Sequence, residues 1–97
     1  MKTNELFLLR DIAGEKILVP VGAATKELNG MIQLSETAAF IWSNIDTSAN
    51  LNEVVDRLTA EYDIDRETAF GDVLKFAKEF SEKGLIKDVP ELVQETH

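Results

Sequence analysis

The chain has 97 residues, 44% of them apolar, with one histidine and no cysteine. That length makes one domain with one small core, which buries roughly 60–65% of the surface its unfolded form exposes and leaves no room for a deep substrate cavity. Eighteen acidic against ten basic residues give a formal net charge of -8, which disfavours nucleic-acid binding and suits a cationic peptide, a basic enzyme surface or plain solubility.

Without cysteine there is no disulfide framework, thiolate metal site, iron–sulfur cluster or cysteine nucleophile on this chain. The longest apolar run, Ile17 to Val21, is far too short to span a bilayer. Met1-Lys2-Thr3-Asn4-Glu5 leads into no signal-peptide core, so the expected location is the cytoplasm, away from membranes.

In chain order, Phe7 to Ala13 forms a first strand, Gly14-Glu15 a tight turn, and Lys16 to Val21 a second strand rich in β-branched residues. Pro20 donates nothing to a ladder, which places it at an edge or a strand end. Gly22 to Leu28 is a loop or an irregular extension. Asn29-Gly30 is a turn signal, because both residues tolerate positive φ, and Met31 to Leu34 is a short third strand. Ser35 then caps a helix from about Glu36 to Ile45. Its buried face is Ala38, Ile41, Trp42 and Ile45, at i, i+3, i+4, i+7. Phe40 points away from that face, either to cap a neighbouring strand or to make a contact.

Asn50, with Glu53 three residues on, opens a second helix with Leu51, Val54, Val55, Leu58 and Tyr62 on one face. Asp65 caps a third helix from about Arg66 to Lys83. Gly84 ends it, and Leu85-Ile86 packs back. The segment from Val89 to His97, with Pro90 and mixed charge, is expected to fray. The domain is thus 1–88, with a flexible tail over 89–97. On the third helix, Phe70, Val73, Leu74 and Ala77 form an ordinary apolar stripe, and Ala69, Phe76 and Phe80 lie to one side of it. The resulting arc of roughly 160° exceeds what one core contact needs. Either the domain wraps the helix on two sides, or Phe76 and Phe80 line a groove.

Catalytic chemistry is missing. The one histidine is the last residue, His97, and no glycine-rich phosphate loop occurs. Acidic clusters such as Glu61-Tyr62-Asp63-Ile64-Asp65 lack the glycine and terminal glutamate of a calcium loop. No enzyme activity, metal or cofactor is expected.

The order of strand, strand, Asn-Gly-strand and Ser-Glu-Thr-x-x-x-x-Trp helix, followed by Leu-x-x-Val-Val-x-x-Leu and Tyr-x-Ile-Asp, resembles the PqqD family, the pyrroloquinoline quinone synthesis protein D type. Asp72-Val73-Leu74-Lys75-Phe76 and Gly84-Leu85-Ile86 extend the resemblance, which covers about Phe7 to Lys87. Ser35 stands where relatives often have Asn, and both are good caps. The resemblance implies an α+β, winged helix-turn-helix-like domain, a three-stranded antiparallel sheet followed by three helices. It also implies a function: a peptide chaperone that binds the leader of a ribosomally made precursor peptide and presents it to a modifying enzyme, often a radical SAM protein. The leader would add as a strand beside the third strand, in the groove before the third helix. On that mapping Met31, Ile32, Gln33 and Leu34 supply the edge, Asp72, Val73, Phe76 and Phe80 supply the wall, and Lys75 and Lys83 meet acidic leader residues. Two other functions are weighed: a winged-helix nucleic-acid binder, which the helical order permits, and a structural subunit of a larger assembly. Against the first, Arg66, Lys75, Lys78 and Lys83 are countered by Asp65, Glu67, Asp72, Glu79 and Glu82, whereas a recognition helix carries an excess of basic or amide side chains.

Overall fold

The computed structural model describes residues 1–22, 25 and 31–92. Its elements are β1 (Lys2–Thr3), β2 (Phe7–Ile12), β3 (Glu15–Pro20), β4 (Ile32–Leu34), α1 (Glu36–Ile45), α2 (Leu51–Glu61), α3 (Arg66–Glu82) and β5 (Ile86–Lys87), with a 3-10 turn over Pro90–Leu92. β2, β3 and β4 form a three-stranded antiparallel sheet in that spatial order, and the three helices follow it, so the architecture is α+β as expected. The Asn29-Gly30 turn, most of the loop expected over Gly22 to Leu28, and His97 lie outside the described residues.

The β2–β3 hairpin turns one residue earlier than the sequence pattern indicates. Ile12 faces Glu15 in the ladder, leaving Ala13 and Gly14 as the loop, with φ of 54° and 85°. Two positive φ values in a two-residue loop match the right-handed twist of the flanking strands. Alternation then sends Phe7 and Leu18 into the core, 6% and 0% exposed. Asp11 and Lys16 stand directly opposite each other and pair at 2.6 Å. The Lys16 ammonium holds the Asp11 carboxyl below its usual value, and the lysine is raised in turn.

β4 pairs with β3 in the register Lys16↔Leu34, Ile17↔Gln33, Leu18↔Ile32. Ile32 and Leu34 therefore share the inner face with Leu18. Gln33 points to the other face, where its side-chain amide donates to Glu15 at 2.8 Å. A slip of one residue would exchange these two sets, so the register is set by burial.

The caps begin the helices where the sequence places them. The amides of Ala38, Glu53 and Thr68 donate to the side chains of Ser35, Asn50 and Asp65 at 3.1, 3.0 and 3.1 Å. At the far end of α3, Gly84 takes φ 75°, its amide donates to Ser81 O at 3.0 Å, and Leu85 N donates to Phe80 O at 2.8 Å. This is a Schellman closure. It turns Leu85 and Ile86 back into the core, 0% and 3% exposed.

Three expectations need correction. In α1 the buried alanine is Ala39, and Ala38 is only half-buried because a groove opens beside it. In α3 the buried stripe is Ala69, Val73, Phe76, Ala77 and Phe80, while Phe70 and Leu74 are half-buried at its margin. The apolar arc is wide enough to accept several rotations about the helix axis, and packing against α1 and α2 selects this one. Finally, the segment expected to fray from Val89 onward is docked as far as Leu92. Val89 is 3% exposed, and the Glu91 carboxylate accepts from Leu51 N at 3.0 and 3.1 Å, adding an anion to the start of α2. Residues 93–97 lie outside the described residues.

The β1–β5 ribbon is the element the sequence pattern misses altogether. Lys2 and Thr3 pair with Lys87 and Ile86, and Asp46 accepts from Thr3 N and Thr3 Oγ1 at 2.7 and 2.9 Å. Two-residue strands carry no periodicity from which to be recognised.

Candidate functional site

β4 pairs with β3 on one side only, so its other backbone edge is unpaired among the described residues. Such an edge presents free N–H and C=O groups to any extended segment that reaches it. Between β4 and α3 runs a groove of ≈480 Å³, with the first turns of α1 completing its walls.

Its floor is apolar. Ile32 is half-buried, and Leu34, Ile41, Phe76 and Phe80 are 7%, 2%, 6% and 6% exposed. Phe76 and Phe80, one turn apart, stack with ring centroids 4.0 Å apart, and Trp42 lies behind Phe80 at 6.3 Å. The rim is polar: Gln33, Ser35 and Thr37 on one side, Asp72, Lys75, Glu79 and Lys83 on the other. Lys83 and Glu79 bond each other at 3.2 Å, each about half exposed.

Helix geometry explains which α3 residues reach the groove. At about 100° per residue, Asp72, Lys75, Phe76, Glu79, Phe80 and Lys83 fall in one arc. The core stripe occupies the neighbouring arc, and Phe76 and Phe80 belong to both. They are core side chains whose edges form the groove floor, so the choice between core and groove left open by the sequence is resolved as both.

Eight of the ten residues expected at a binding site line this groove: Ile32, Gln33, Leu34, Asp72, Lys75, Phe76, Phe80 and Lys83. Two do not. Met31 precedes β4, is 61% exposed and stands outside the groove lining. Val73 is fully buried in the core stripe, one residue and about 100° round the helix from Asp72. The sequence reading overlooks Ser35, Thr37, Ala38, Ile41 and Glu79. Glu79 was accessible to the same arithmetic, since it falls between Lys75 and Lys83 at i+4 steps. The α1 residues were not, because nothing local in the sequence brings the start of α1 beside α3.

Other hollows lie elsewhere among the described residues. The largest, ≈710 Å³, lies between β1 and the turn after α3, where Asp46 is taken by Thr3 and Asn4 donates to Gly84 O at 3.1 Å. Another, ≈370 Å³, lies where β2 and β3 meet α1 and Tyr62. Phe40 and Tyr62 pack edge-on in its wall, centroids 5.4 Å apart, so the loose Phe40 of the sequence is a packing residue. Partial burial, then the Glu36 carboxylate, raises the Tyr62 hydroxyl above its ordinary value. Size therefore does not identify the site. The groove at β4 joins an unpaired strand edge to a floor of buried side chains from β4, α1 and α3. Among the described residues no three His, Asp or Glu side chains converge as a metal site, and no helix is long and apolar enough to cross a membrane.

No curated protein matches the chain. The solved structure of TbiB1 in complex with the TbiA(beta) leader peptide is similar at TM-score 0.68 and 26% identity, over 91% of this chain and 100% of that one. The family described as coenzyme PQQ synthesis protein D (PqqD) matches over residues 15–86, from the start of β3 to the start of β5. The chain belongs to the PqqD family.

Proposed function

We propose that this protein recognises the leader segment of a ribosomally made precursor peptide and presents it to the enzyme that modifies the peptide, a radical SAM protein, in the cytoplasm. The leader adds antiparallel to β4 as a fourth strand, and its inward side chains lie on the floor formed by Ile32, Leu34, Phe76 and Phe80. The protein itself performs no chemistry.

One observation carries this reading. The unpaired edge of β4 borders a groove whose far wall is α3 and whose floor is apolar. Strand addition divides the work in a defined way: main-chain hydrogen bonds supply affinity, and pockets for alternate side chains supply selectivity. The short β4 suits a partner that must also be released, because three residues of ladder make few bonds. PqqD membership and the likeness to TbiB1, solved with a leader peptide, support the same reading.

The test is calorimetric titration with synthetic leader segments taken from short reading frames beside this gene. Micromolar or tighter binding is expected. Within a strand successive amides point to opposite sides, so one of Ile32 and Gln33 directs its N–H outward. Proline at that position removes a bond to the leader. Unchanged affinity in folded Ile32→Pro and Gln33→Pro variants would exclude this edge.

A further inference from the structure

We infer that the outer face of the three-stranded sheet is where the modifying enzyme docks, and that a bound leader completes this surface. The inference rests on the proposed function and goes beyond it, because it concerns the side of the sheet away from the groove. The helices cover the face that carries Phe7, Leu18 and Leu34. On the other face, alternation places Leu8, Arg10 and Ile12 of β2 opposite Val19, Ile17 and Glu15 of β3. Four of these six outward positions are apolar, whereas a sheet face turned to water reads polar. Leu8 and Ile12 are 42% and 47% exposed. The face continues past the strand ends. Leu6, whose carbonyl accepts from Val21 N at 2.8 Å, keeps the parity of Leu8, and Met31 keeps that of Gln33; they are 38% and 61% exposed. Every large apolar side chain that is exposed among the described residues thus belongs to one surface.

Size and charge indicate the occupant. Two six-residue strands and the three-residue β4, at ~3.3 Å per residue and ~4.8 Å between strands, make a face on the order of 250 Å². Two copies stacked there would bury about twice that, well short of the ~1,200 Å² at which stable interfaces begin, so a second copy is not the occupant. A modifying enzyme needs less. It also holds the precursor, and a partner tethered through the peptide meets the face at high effective concentration. The leader enlarges the face as well. A strand added at β4 turns alternate side chains into the groove and the others outward, beside Gln33, as a fourth row of the same surface. Charge sets the partner's chemistry. Arg10 stands between Leu8 and Ile12 and forms no ion pair among the described residues, while Glu15 accepts from Gln33. The complementary enzyme surface is apolar, with a carboxylate that meets the Arg10 guanidinium.

The experiment titrates the modifying enzyme encoded beside this gene with the full chain, empty and loaded with its leader segment, and measures leader affinity in parallel. A Leu8→Thr/Ile12→Thr double variant, which keeps strand-forming side chains, and Arg10→Glu are compared with Lys78→Glu, an exposed change on α3. The loaded chain should bind the enzyme at least about tenfold more tightly than the empty one, and by reciprocity the enzyme should tighten the leader by the same factor. Both outer-face variants should lower enzyme affinity at least about fivefold and leave leader affinity unchanged, and Lys78→Glu should alter neither. An enzyme that does not bind the loaded chain, or binds it equally in folded outer-face variants, overturns the inference, and leader binding that still needs β4 then leaves recognition of the leader standing. An enzyme affinity indifferent to the leader refutes completion of the surface by the peptide. A concentration-dependent dimer that the outer-face substitutions dissolve also overturns the inference, because it places a second copy on the face. A folded chain that binds no leader removes the proposed function and this inference with it.

Discussion

The sheet has two free edges, and they differ in what surrounds them. β2 is twice as long as β4, six residues against three, and exposes Leu8 and Ile12 at 42% and 47%. The hollow beside it is smaller, ≈370 Å³, is walled by Phe40 against Tyr62, and carries the Asp11–Lys16 pair. β4 borders a groove with an apolar floor and a rim cation without an ion pair among the described residues. The helix across from it decides whether a strand added there gains side-chain contacts as well as main-chain bonds.

The largest effect expected is on stability. Phe80→Ala removes a ring shared by core and groove, and should cost about 3–5 kcal/mol, a large part of the 5–15 kcal/mol typical of a domain. Denaturant unfolding measures this, and a loss below about 1 kcal/mol would mean that Phe80 is not a core residue. Phe76→Ala should behave alike, because Phe76 is equally buried. Neither substitution separates binding from folding, which is why the β4 proline variants carry the functional test.

Next comes the contrast between the edges. Proline at the outward-facing amide of β4 should lower leader affinity at least about tenfold, two lost or distorted main-chain bonds at about 1 kcal/mol each. A proline scan through Leu8, Leu9 and Arg10 in β2 should leave affinity unchanged in every variant that folds. Loss of binding from β2 instead would reverse the assignment of edges.

A smaller effect is expected at α2. Asn50→Ala removes the cap that accepts from Glu53 N and should cost about 1 kcal/mol, read as a shifted midpoint with no change in peptide affinity. An affinity change would show that α2 communicates with the groove.

The smallest effect concerns pH. Asp11 has a folded-state pKa lowered by Lys16, first by the hydrogen bond and then by charge. A depressed carboxylate contributes stability that is present above its unfolded pKa of about 3.9 and is lost as pH falls through the lower folded value. Asp11→Asn should therefore flatten stability slightly below about pH 4 and leave leader binding near neutrality untouched. A change in neutral-pH affinity would connect the β2–β3 hairpin to the site.

Much of this was legible in local sequence. Ser35, Asn50, Asp65 and Gly84 mark helix ends chemically, and the helices start and stop beside them. Eight groove residues followed from one strand and one helix face once the PqqD resemblance supplied their partnership. What escaped depends on contacts distant in sequence. The β1–β5 ribbon joins residues at opposite ends of the chain, and its strands are too short to show a pattern. The rotation of α3, which buries Val73 and leaves Phe70 and Leu74 at the margin, is set by what packs against the helix and not by its own wide apolar arc. Glu91 accepting from the start of α2 depends on the chain returning there forty residues later.

The most direct test of strand addition at β4 is amide hydrogen exchange, residue by residue, with and without a bound leader peptide. Among residues 32–34, the amides that face the open edge should exchange freely in the unbound protein and become protected when the leader binds, while the edge of β2 does not change. Tight binding with protection confined to β2, or with no new protection in β4, would contradict it.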